Sequence, residues 1–161
     1  MKNVKTKHFY SFDLATLLQA FNQEKVIKAK LADSGAKDVK IDIQSTEQGF
    51  NVEIERTMPA NVPSVLKAFL GEWNEIKQNE QWQGSIESGY HCELHIDIIG
   101  VPVSIKGQMD VTSSGILTTN IVEIQVSCGI PLVGGQLEQL IVKDVEKSVA
   151  KEFSFIKTHL G

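Results

Sequence analysis

Hydrophobic and polar positions fall into two periods along this chain, and the change between them marks out the elements. Val4 to Phe12 carries the β-branched and aromatic residues of a strand. Asp13 is placed to accept a free amide of a helical first turn. Leu14, Leu17, Leu18 and Phe21 follow at helical spacing until Asn22 and Gln23 interrupt. A second short helix, roughly Glu24 to Asp33, shows Ile27 and Leu31 on one face and stops near Gly35. From Lys37 the period becomes two. Val39, Ile41 and Ile43 alternate with polar residues, as do Phe50, Val52 and Ile54 after a turn near Glu47 to Gly49. Each is a strand with one dry and one wet face, the pattern of an antiparallel sheet covered on one side.

Met58-Pro59 and Val62-Pro63 end this hairpin, and Ser64 to Leu70, closed by Gly71, reads as one or two helical turns. A meander completes the sheet. Trp73 to Trp82 is so polar that an edge position is expected. Ser85 to Ile99 shows Cys92, Leu94, Ile96 and Ile98 on one face, with Glu93, His95 and Asp97 on the other. Val103 to Val111 runs back, Ser113-Ser114-Gly115 turns, and Ile116 to Ser127 is the last strand, with Val122, Ile124 and Val126 inward. Pro131 and Gly134-Gly135 then open a helix whose apolar stripe runs from Leu137 through Ile141, Val145, Val149, Phe153 and Ile156 to Leu160. At 1.5 Å per residue it spans about 40 Å. A helix of this length must lay its stripe on an apolar surface, and the dry face of the sheet is the one on offer. The expectation is a single α+β domain over residues 1–161: a curved antiparallel sheet of about seven strands, two short helices after the first strand, and a long C-terminal helix packed across the sheet.

Composition removes several function classes. The chain has 161 residues, 42% hydrophobic and 22% charged, which suits a globular domain rather than a disordered one. Its net charge of -4, with Arg56 the single arginine among 16 basic residues, argues against nucleic acid, whose phosphates need a basic face rich in guanidinium forks. No run approaches the ~18 apolar residues of a membrane span, so stable membrane insertion is not expected. With no apolar leader and only Cys92 and Cys128, a cytoplasmic placement with reduced thiols follows. No spacing of residues calls for a cofactor or a metal, and the sequence does not address the oligomeric state.

Three stretches carry a resemblance: Gln23 to Gly35; Glu55-Arg56-Thr57-Met58-Pro59 with Val62-Pro63-Ser64; and Ile130-Pro131-Leu132-Val133-Gly134-Gly135-Gln136-Leu137-Glu138. Together they resemble the domain-of-unknown-function 2505 family, placed with the START-like (helix-grip, SRPBCC) superfamily, over nearly the whole chain. The resemblance implies a strand, two small helices, a strongly bent antiparallel sheet and a terminal helix closing a cavity. Superfamily relatives carry lipids, sterols or hormones, cyclise polyketides, or bind protein partners. No catalytic residues carry over.

A long helix on a concave sheet leaves room beneath it unless large side chains fill that space, and this sequence offers mostly Val, Ile and Leu. The expected function is binding or transport of an apolar or amphipathic, lipid-like small molecule without catalysis. The candidate lining is Val52, Ile54, Leu94, Ile96, Val122, Ile124, Leu137, Ile141 and Val145. Close packing of the same residues is the competing outcome. Arg56 shares the inward parity of Val52 and Ile54, where it would grip an acidic head group through two parallel hydrogen bonds; alternatively the strand bulges and Arg56 pairs with a surface glutamate. A START-like enzyme of the cyclase or aldolase type needs an acid or base facing the pocket. The inward faces carry almost no Asp, Glu or His, which leaves the enzyme, and a protein-interaction module, as alternatives. His91, His95 and Asp97 read as a wet face, His8 and His159 as without a role, and Cys92 and Cys128 as inert thiols. Gly134-Gly135 reads as a close approach of the backbone to the sheet.

Overall fold

The computed structural model describes residues 1–60, 67–68 and 71–161. The chain runs through strand β1 (Lys2–Tyr10), helices α1 (Leu14–Asn22) and α2 (Glu24–Asp33), strands β2 (Lys37–Ser45), β3 (Gly49–Pro59), β4 (Trp73–Ser85), β5 (Gly89–Ile98), β6 (Val103–Ser114) and β7 (Leu117–Cys128), and the terminal helix α3 (Gly134–Leu160). All seven strands form one antiparallel sheet in the order β1-β7-β6-β5-β4-β3-β2. The helical turns expected from Ser64 to Leu70 fall largely outside the described residues.

Local chemistry explains the boundaries. Asp13 caps α1 by accepting from the Thr16 amide at 2.8 Å, and Gly35 closes α2 with φ of +88°, a backbone state that a side chain makes costly. β1 occupies Lys2–Tyr10, ending before the expected Phe12, because Asp13 already belongs to the cap. β3 continues through Met58-Pro59, still paired with Asn74 and Trp73 of β4, where a break was expected. Gly134 lets the start of α3 close on the end of β7: a Cβ there would sit 3.0 Å from the Cys128 carbonyl oxygen.

The strand order corrects one expectation. β4 is interior, hydrogen-bonded to β3 on one side and β5 on the other, and the edges are β1 and β2. Its polarity misleads because the inward residues Asn74, Gln78 and Glu80 are themselves polar and line a cavity. Connecting β1 to β2 takes the chain from one edge to the other, and α1 and α2 make that crossing. The helix α3 packs against β1, β7, α1 and α2. It therefore grips one side of the sheet and bridges the middle. Its stripe is fully buried at Leu137 and Ile156, but Val145 and Val149 between them are only half-buried.

Candidate functional site

Beneath the middle of α3 lies a cavity of about 430 Å³, within the range of small-molecule sites. Strands β1 and β3 to β7 all contribute wall residues, together with Phe21 of α1, Ser34 after α2, and α3 from Leu140 to Ile156. One void touching six strands requires a concave sheet. Gly107 helps to make it so. At its inward position on β6 it pairs with Leu94 and Ile124, and a Cβ there would come within 2.9 Å of the Glu123 carbonyl oxygen and 3.3 Å of Leu94. A glycine in mid-strand permits that close approach and leaves the sheet surface bare of a side chain.

The wall is chemically divided. On β5, β6 and β7 it is mainly aliphatic, with Leu94, Ile96, Ile105, Val122 and Ile124, and α3 adds Ile141 and Val145 beside the charged Asp144, Lys147, Lys151 and Glu152. On β3 and β4 polar Arg56, Asn74, Gln78 and Glu80 stand beside Met58 and Ile76. Of the residues expected to line it, Arg56, Leu94, Ile96, Val122, Ile124, Ile141 and Val145 do so. Val52, Ile54 and Leu137 do not; they are buried in packed core. Near Val52 the space is filled by an aromatic group: Trp82 lies 4.8 Å from Phe21 and 5.5 Å from Phe50, centroid to centroid. Leu137 sits where the first turns of α3 press onto the sheet.

Arg56 points inward, and the neighbouring Glu55 makes the surface pair instead, with Lys77 at 3.6 Å. Although Arg56 as a whole keeps some accessible surface, its Nε and Nη1 are buried and have no hydrogen-bond partner among the described residues. Burial lowers its pKa, opposed by the charges of Glu152 and Glu80. A guanidinium is nevertheless cationic at any physiological pH. Glu80 is 3% exposed. Its Oε1 accepts from the Trp82 indole at 2.9 Å, and its Oε2 accepts from the Gln78 amide. Burial pushes its pKa up, with Lys30 and these two donors pulling the other way.

A second, part-buried charge pair closes the helical side. The Lys30 ammonium donates to Glu152 at 2.8 Å and to the Ala20 carbonyl at 3.0 Å, and lies 4.4 Å from the centre of the Phe21 ring. It thus ties α1, α2 and α3 together. His8 stacks on Phe153 with 4.3 Å between centroids and lines the cavity, its pKa lowered by burial. Tyr10 is also on the wall, its hydroxyl pKa raised by burial.

The expectation of an inner surface almost without Asp, Glu or His is thus corrected by Glu80 on β4, His8 on β1, and Asp144 and Glu152 on α3, with burial raising the Asp144 pKa. Glu80 was legible by parity, since Trp82 two residues on is an obvious inward anchor. On the outer face His91 contacts Asp110 at 2.6 Å and Glu93 at 2.8 Å, and His95 contacts Asp97 at 3.0 Å. Cys92 is buried and Cys128 half-buried, and neither is bonded to the other. Among the described residues no helix is long and apolar enough to cross a membrane.

Comparison with known proteins agrees with this architecture. Solved structures with the same fold include a protein from Thermus thermophilus, at 13% identity and a TM-score of 0.65 over 99% of this chain and 97% of that one. A START superfamily protein from Mycobacterium smegmatis matches at 10% identity and a TM-score of 0.64 over 99% of each chain. A conserved protein from Geobacillus kaustophilus gives 10% and 0.62 over 99% and 95%. At such identities the likeness is one of fold. No curated protein matches significantly. The family model described as protein of unknown function (DUF2505) matches residues 5–160, and the chain, a START-like fold over its whole length, belongs to that family.

Proposed function

We propose that this protein binds an apolar or amphipathic small molecule in the cavity between α3 and the sheet, as a carrier or receptor that performs no chemistry on it. The observation that carries the reading is the cavity itself. Natural interiors close-pack and leave few voids larger than a water molecule, so a space of about 430 Å³ walled by Leu94, Ile96, Val122, Ile124, Ile141 and Val145 costs cohesion that a bound ligand restores. The START-like fold supports a ligand-binding role in general terms.

One observation favours an enzyme as the second reading. Glu80 supplies the buried carboxyl that a cyclase- or aldolase-type reaction wants, although both its oxygens are already engaged by Trp82 and Gln78.

Gentle-ionisation mass spectrometry of freshly purified protein tests the first reading. A reproducible non-covalent mass of lipid-like size is expected, and Val145→Phe, which projects a ring into the cavity from α3, should sharply reduce it. A bare protein that also takes up no polarity-sensitive dye would end the carrier idea.

A further inference from the structure

Arg56 brings to the cavity wall a cation with buried donors that meet no partner among the described residues. Lys30 is committed to Glu152 and to Ala20, whereas Nε and Nη1 of Arg56 are buried without a partner among the described residues. The side-on edge of a guanidinium pairs Nε with Nη2, and the end-on edge pairs Nη1 with Nη2, so each edge of the fork has a donor to offer. Buried donors are almost always satisfied, and each one left open costs free energy. Glu80 does not close the gap, because its oxygens face Trp82 and Gln78.

We propose that the ligand is a single-tailed carboxylate, its head group held by the fork of Arg56 and its tail lying against Leu94, Ile96, Ile124 and Ile141. The inference rests on the cavity reading above and adds the charge and orientation of what is bound. Orientation follows from the sheet order: Arg56 and the polar groups of β4 adjoin the mainly aliphatic wall on β5 to β7, so a head group at Arg56 directs its tail toward that wall. Charge follows from balance. Glu152 is paired with Lys30, burial disfavours a charge on Glu80, and Asp144, Lys147 and Lys151 line the wall from α3, so on the sheet side Arg56 is the cation whose buried donors are unmet. A single negative charge matches Arg56. A phosphate dianion adds a second charge that Arg56 alone does not balance, and a cationic head meets the guanidinium itself. A neutral head leaves the arginine as it is. Carboxylate also matches the planar, two-pronged geometry of the fork.

Displacement of a polarity-sensitive dye by matched tetradecyl compounds tests this, with the carboxylate, alcohol, phosphate monoester and trimethylammonium compared at neutral pH and decanoate and dodecanoate as shorter controls. Tetradecanoate or a shorter homologue should bind at least ~10-fold more tightly than its alcohol, as a charge-assisted pair of hydrogen bonds implies. Arg56→Gln should bring the acid down to the level of the alcohol and leave the alcohol unchanged. Arg56→Lys, which keeps the charge and lacks the fork, should fall between, and serves if the glutamine variant does not fold. Glu80→Gln, which mimics the neutral form that burial favours, should hold carboxylate affinity. Head groups that bind equally, or an acid-to-alcohol ratio that Arg56→Gln leaves intact, overturn the carboxylate and spare the cavity reading. A phosphate preference overturns the charge assigned. A wild-type protein that takes up none of these compounds, and behaves as Val145→Phe does, overturns both.

Discussion

Glu80 concentrates the energetics of this interior at a single side chain. Desolvation disfavours its charged form, Glu152 adds to that, and Lys30, Trp82 and Gln78 act against it; Arg56 lies within electrostatic reach from β3. With the net shift upward, the folded state keeps the proton to a higher pH than the unfolded chain does. The stabilisation is therefore fully present below the unfolded carboxyl value and is lost as pH rises through the folded one. Glu80→Gln removes this loss, since Gln78 can turn its amide to accept from the new side chain while Trp82 still donates. The variant should melt above wild type at pH 8, with the gap closing toward pH 4. A gap that is independent of pH, or reversed at pH 8, would show that the ionised form is the favoured one. Arg56, for its part, shows what one arginine achieves in a lysine-rich chain: a fork, which no lysine offers, placed where no described protein group meets its Nε and Nη1.

Along the terminal helix, burial changes over a few turns. Leu137 is 0% exposed and pressed into core, while Val145, two turns on, borders the void. Truncation should cost accordingly. Leu137→Ala leaves a new hole in a filled region and should lose about 2–5 kcal/mol, whereas Val145→Ala enlarges a space already present and should lose less than about 1 kcal/mol. Equal losses in urea melts would mean that α3 is packed evenly along its length. The helix pair α1 and α2 has its own anchor in Lys30, which caps the C-terminal end of α1 by donating to Ala20 and reaches Glu152 across 122 residues of sequence. Among the strands, β4 shows how polarity alone misplaces an element. Three of its inward residues, Asn74, Gln78 and Glu80, are hydrophilic and line the cavity, and its edge-like composition hides a ladder of backbone hydrogen bonds on each side.

For the molecule as a whole, a ligand that binds only the folded state raises stability by mass action, about 2.7 kcal/mol at a hundredfold excess over Kd. In a domain of this size that corresponds to a shift of roughly 5–10 °C in Tm. A binding carboxylate should produce it by scanning calorimetry in wild type and not in Val145→Phe. Equal shifts in both proteins would place the ligand elsewhere.

The elements, their order and the fold class are written locally in the chain, because periods of two and 3.6, Asp13, Gly35 and Gly134 act over a few residues and need no knowledge of the rest. Parity on β3 likewise identifies Arg56. The site itself comes from the assembled fold. The strand order, the aromatic group of Phe21, Phe50 and Trp82 that takes Val52 into packed core, and the approach of Lys30 to Glu152 all depend on residues distant in sequence. A period tells which way a side chain points. Whether it then meets another side chain or an empty space depends on the curvature of the sheet and on where α3 crosses it, and those are set by contacts between elements far apart along the chain.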